Sequence, residues 1–108
     1  MGRHTLGEFE HQVLLAILRL GGEAYSVTLV QELEERTGRE VAQAAVFIVL
    51  SRLAQKGLLT SRLDDRAGEA GRVRRYFTPT PEGMRRLKES RRSLVRLWEG
   101  LDTTLDEV

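Results

Sequence analysis

The placement of glycine and proline constrains this chain's fold more than any other feature. Gly21-Gly22, Gly38, Gly57, Gly68 and Gly71, then Pro79 and Pro81, cut the sequence into segments no longer than a helix or a strand pair. Glycine closes helices in the left-handed conformation, and proline lacks the amide that a helix interior or a sheet ladder requires. What lies between these breaks decides the architecture.

Leu6, Phe9, Val13, Leu14, Ile17 and Leu18 recur at three- and four-residue intervals and predict a first helix over residues 6–20, ended by Gly21-Gly22. Ser26 reads as the N-cap of a second helix with Val27, Leu29, Val30 and Leu33 inward and Gln31, Glu32, Glu34 and Glu35 outward, stopped by Gly38. A third helix is expected over residues 42–56, with Val46, Val49, Leu50 and Leu53 at core spacing and Gly57 as its stop. Ala42 and Ala45 leave the start of this helix without a capping side chain.

Two strands follow, over residues 58–63 and 72–78, joined by a turn holding Asp64, Asp65, Gly68 and Gly71 and ended by Pro79. Thr80-Pro81-Glu82 combines an N-cap, a first-turn proline and an acid near the positive end of a helix. That last helix is expected to reach about residue 105, with Met84, Leu87, Leu94, Trp98, Leu101 and Leu105 along a seam, Arg91 in the remaining seam position and Gly100 as a weak point. Arg91 there needs Glu89 or a partner chain's acid to neutralise it, or a rotation of the helix. The order predicts a mainly α fold with a small β-hairpin: a winged helix-turn-helix over residues 1–79, then a C-terminal dimerisation helix over residues 80–108 of the same compact unit.

A length of 108 residues suits one domain, and 41% hydrophobic with 31% charged residues is too apolar for a disordered tail. The apolar runs 13–18 and 44–50 fall far short of the ~20 residues of a membrane span, so no membrane partner is expected. With no cysteine, disulfides, thiolate metal sites and a cysteine nucleophile drop out, and a charged start without a signal-peptide pattern points to the cytoplasm. His4 and His11 lie outside any His-Glu-x-x-His pattern, Asp64-Asp65 are turn formers, and no phosphate-cradling glycine loop exists. No catalytic residue, metal or cofactor is therefore expected.

The formal net charge of +1 conceals a strong division. Residues 1–41 sum to −3, residues 42–98 to +8, and the last ten carry only Glu99, Asp102, Asp106 and Glu107. A basic middle suits phosphate neutralisation, although a solvated arginine-rich helix face has the same composition.

Over residues 6–98 the chain resembles the PadR-type transcriptional regulators. The likeness is carried by Leu6-Gly7-Glu8-Phe9-Glu10, Glu23-Ala24-Tyr25, Leu50-Ser51-Arg52-Leu53 with Lys56-Gly57-Leu58, and Thr80-Pro81-Glu82-Gly83, in that order. Departures cluster where DNA would be met: Ser26 for glycine, Ala42 and Ala45 for small polar residues, Phe47 and Ile48 for tyrosine and proline, and Tyr76-Phe77 for paired tyrosines. The resemblance implies a dimeric DNA-binding repressor of the small subfamily with a single C-terminal helix, and it admits an aromatic or amphiphilic small-molecule effector.

In a helix-turn-helix the third helix enters the major groove, which puts Gln43, Ala44, Phe47, Ser51 and Arg52 on the DNA side. Gln43 suits adenine, Ala44 or Phe47 a thymine methyl, and Ser51 and Arg52 the backbone. Arg72 and Arg74 share one face of the second strand and suit a minor groove or its phosphates, while Arg75 points the other way. The expected dimer interface comprises Phe9, Leu87, Leu94, Trp98, Leu101 and Leu105. Trp98 serves either plain interface packing or the stacking of an effector. The expected partners are a double-stranded DNA operator and a second copy of the chain. The rival reading is a winged-helix adaptor that binds protein through Phe47 and Ile48.

Overall fold

The computed structural model describes residues 5–64 and 73–107. In chain order the elements are α1 (Glu8–Arg19), α2 (Ser26–Thr37), α3 (Gln43–Gln55), β1 (Leu59–Asp64), β2 (Arg74–Pro79), α4 (Pro81–Trp98) and α5 (Asp102–Asp106). This is the predicted mainly helical fold with an antiparallel hairpin. Val13, Leu14, Ile17, Leu29, Val46, Leu50, Leu53 and Leu58 form the core, and Phe77 and Leu87 bring the hairpin and α4 onto it.

Buried Glu10 fastens α1 at both ends of its carboxylate. It accepts the Gly7 amide at 2.8 Å, and its other oxygen receives the Lys56 ammonium from beyond the end of α3 at 2.8 Å. Burial pushes the Glu10 carboxyl up, but Lys56, the Gly7 amide and the charge of Arg52 outweigh it and hold the pKa below the ordinary value. Gly38 and Gly57 adopt positive φ at the ends of α2 and α3, as their positions predict.

The residue before the expected cap closes α2. Tyr25 is its N-cap, extended and without a side-chain cap bond, while Ser26 is the first helical residue and Val27 is exposed rather than inward. The cause lies in the sheet: Ala24 exchanges two backbone hydrogen bonds with Phe77, at 2.8 and 3.2 Å, which holds the chain extended up to Tyr25. β1 starts one residue late because the Leu58 amide closes α3 on the Leu53 carbonyl and the Leu58 carbonyl accepts the Thr80 amide. Pro79 ends β2, paired with Leu59.

Thr80 caps α4 as expected. Its hydroxyl accepts the Gly83 amide at 3.0 Å and donates to the Gly57 carbonyl at 2.8 Å. The expected continuous helix to residue 105 is not formed: α4 stops at Trp98, Gly100 turns the chain at φ +79°, and α5 is a separate short helix. A left-handed residue cannot lie inside a right-handed helix, so the apolar seam pattern was overruled at that glycine.

Candidate nucleic-acid interface

Val46, Val49, Leu50 and Leu53 anchor α3, which fixes its outward side. At about 100° per residue, Ala44, Ile48, Ser51 and Gln55 fall near the centre of that side, with Gln43 and Phe47 on the flank toward α2. Phe47 and Ile48 are 50% and 56% exposed. No side chain caps the helix at Ala42.

From the start of α3 a series of contacts runs to the wing. The Gln43 amide nitrogen donates to the Ser26 hydroxyl at 3.2 Å, and the neighbouring Tyr25 ring carries the Arg74 guanidinium 4.6 Å from its centroid. Tyr25 and Tyr76 rings lie 5.3 Å apart, and Arg62 sits 4.7 Å over Tyr76. Arg62 in turn donates two hydrogen bonds to Glu23, at 2.7 and 2.8 Å. The Arg62 hydrogen bonds draw the Glu23 carboxyl below its ordinary value, and the carboxylate raises the guanidinium pKa.

Strand register explains the row. Arg62 is paired with Tyr76 and Asp64 with Arg74, so these side chains share one face of the hairpin. Arg75 donates to Ser61 at 3.0 Å on the other face. Gln43 and Arg74 thus border one continuous surface.

Arg52 does not join them on that flank. Nine residues beyond Gln43, it lies about 180° around α3, on the side where its charge acts on Glu10. Ser51 is half-buried and Ala44 exposed. Arg72 lies outside the described residues, as does His4.

Sequence reasoning left Arg62, Tyr25, Tyr76 and Gln55 out of the DNA-side set and gave Ile48 only to the protein-binding reading. For Ile48 and Gln55, completing the helical projection would have sufficed. The other three emerge only once β1, β2 and residues 23–25 are set in register.

The expected interface residues divide. Leu87 is 6% exposed and belongs to the chain's own core, and Phe9 packs partly buried against that core. Leu94, Trp98, Leu101 and Leu105 remain exposed, joined by Val95 and Leu97. Arg91 is exposed as well, so within one chain its charge remains in water. His11 donates to or accepts from Ser90 at 2.7 Å, linking α1 to α4, and burial lowers its pKa. No helix among the described residues is long and apolar enough to cross a membrane.

The profile of the family described as "Transcriptional regulator PadR-like family" matches residues 14–89. The chain belongs to the PadR family. PadR proteins are transcriptional regulators rather than enzymes.

Among solved structures, the chain is similar to a PadR family transcriptional regulator from Eggerthella lenta, at 29% identity and a TM-score of 0.69, covering 86% of this chain and 80% of that one. A PadR family regulator from Clostridium difficile superposes with a TM-score of 0.73 at 18% identity, over 90% of this chain and 98% of the other. Bacillus subtilis PadR, solved in complex with operator DNA, matches with a TM-score of 0.64 at 17% identity, over 76% of this chain and 45% of that longer one. No curated protein sequence shows significant similarity to the chain.

Proposed function

We propose that this PadR-family regulator is a homodimeric, cytoplasmic repressor that reads an operator with α3 and the wing together. The observation that carries this reading is the contact series Gln43–Ser26–Tyr25–Arg74, which makes the start of α3 and strand β2 one surface. The operator complex of Bacillus subtilis PadR supports it by fold likeness.

In the major groove, a recognition helix meets base edges with the residues nearer its N-terminus and phosphates with later ones. Ala44, Ile48 and Phe47 offer methyl and ring surface to thymine, Gln43 an amide to adenine, and Ser51 a hydroxyl to the backbone. Arg52, on the opposite flank, faces phosphates. Arg74, held on the Tyr25 ring, reaches toward the adjacent minor groove, with Arg72 assigned to the same contact. Two such heads on a two-fold axis engage half-sites roughly 34 Å apart. An aromatic or amphiphilic effector bound at Trp98 would shift the heads and break both contacts at once.

Fluorescence anisotropy on a duplex selected from genomic fragments tests the reading. Affinity falls steeply as salt rises, and Arg74→Ala lowers the slope of log affinity against log salt by about 1. A flat salt response refutes DNA binding and favours the adaptor reading, in which the half-exposed Phe47 and Ile48 dock on a protein.

A further inference from the structure

Arg62 carries a charge on the hairpin that the chain itself occupies. Its Nε and Nη2 donate to the two carboxylate oxygens of Glu23 at 2.7 and 2.8 Å, and its Nη1 lies 3.5 Å from Asp64 Oδ2. The Thr78 hydroxyl donates to the same Glu23 carboxylate at 3.5 Å. Yet the Arg62 side chain is 49% exposed, so only these acids stand between its guanidinium and an anion from solution.

An ion pair this exposed adds little to folding, which leaves its place on the surface that carries Arg74 unexplained by stability. Affinity for DNA of any sequence grows with each phosphate that an arginine neutralises, and a regulator has to find its operator among a genome of competing sites. A carboxylate that fills both donor positions of an arginine removes one such contact, and its own charge repels the backbone. The guanidinium keeps a second role: it lies over the Tyr76 ring, which rests on Tyr25, which carries Arg74.

We propose that Glu23 is a positioning residue that sets DNA specificity, withholding Arg62 from phosphates and, through Arg62 and the two tyrosines, fixing the pose of Arg74. This rests on the DNA-reading surface proposed above. Random duplex loses a phosphate contact by this arrangement. An operator that fits Arg74 recovers the loss through an arginine already in place, so the ratio of the two affinities rises.

Fluorescence anisotropy of the full chain on a selected operator duplex and on a random-sequence duplex, each over a range of salt, tests this. Glu23→Gln removes the charge at nearly constant shape. Its affinity for random duplex should rise about three- to tenfold at about 0.1 M salt, with a slope of log affinity against log salt steeper by about 1, as Arg62 gains a phosphate. Operator affinity rises less because Arg74 loses its fixed pose, and the specificity ratio falls by about threefold or more. Adding Arg62→Gln to Glu23→Gln returns the slope on random duplex to the wild-type value. Glu23→Ala, which also deletes the amide acceptor, shifts slope and ratio in the same direction, and circular dichroism of each variant verifies its helix content.

Wild-type slopes on random duplex for both Glu23 variants overturn the proposal and leave the DNA-reading surface standing. A steeper slope that persists in the double variant also overturns it, since the gain then comes from losing the acid's field and not from Arg62. Weaker binding to both duplexes at unchanged helix content assigns Glu23 a structural role only and overturns it as well. A wild-type chain without salt-dependent affinity for either duplex overturns the DNA-reading surface itself, and the proposal with it.

Discussion

Gly83 faces the backbone of Leu58 so closely that a β-carbon at position 83 would lie 2.2 Å from the Leu58 carbonyl oxygen. That approach lets the first turn of α4 settle against the end of α3, where Thr80 also bonds Gly57 and Leu58. It is the joint between the reading head and the arm.

Gly83→Ala must therefore push α4 away or strain it. Overpacking of this kind costs about 1–3 kcal/mol or more. Urea unfolding should show that loss, whereas Gly7→Ala, whose nearest neighbour is at an ordinary 3.6 Å, costs less than about 1 kcal/mol. Equal stabilities for wild type and Gly83→Ala would refute the close joint.

The Glu10–Lys56 pair gives a pH dependence. Burial raises the Glu10 pKa, yet Lys56, the Gly7 amide and Arg52 hold it below the 4.5 of an ordinary glutamate, so the folded state binds its proton less readily than the unfolded state. The stabilisation is present above the unfolded value and is lost as pH falls through the lower folded one. Glu10→Gln should cost about 1–3 kcal/mol at neutral pH, and the difference from wild type should shrink in acid. A difference independent of pH contradicts the assignment.

At Ala42 the first turn of α3 lacks a side-chain cap, although the residue already has the extended backbone of an N-cap. Ala42→Ser should stabilise the protein by about 1 kcal/mol, read as a higher melting temperature. No gain would mean that other groups satisfy those amides.

Much of the fold is legible in local chemistry. Gly38, Gly57 and Thr80-Pro81 end or start helices through backbone conformation and capping, which depend on neighbours a few residues away. Val27 and Ser26 were misplaced because the Ala24–Phe77 bridge, a contact across the fold, decides where α2 begins. The same kind of contact hides the Arg62–Tyr76 and Tyr25–Arg74 stacks, since no spacing within one segment reveals which strands adjoin. Gly83 belongs to a known sequence pattern, but its reason is a tertiary approach. The last helix runs as expected to Trp98 and breaks at Gly100, where handedness outweighs periodicity.

The account's central claim is that the start of α3 and the wing form one DNA-reading surface, and amide chemical-shift mapping during titration with a selected duplex tests it most directly. Tyr25, Ser26, Gln43, Ala44, Phe47, Ile48, Arg62 and Arg74 should shift together on one binding curve, while Leu97 and Leu105 on the arm remain unchanged. Shifts confined to α4 and α5, or shifts in α3 that leave Arg62 and Arg74 untouched, would contradict it.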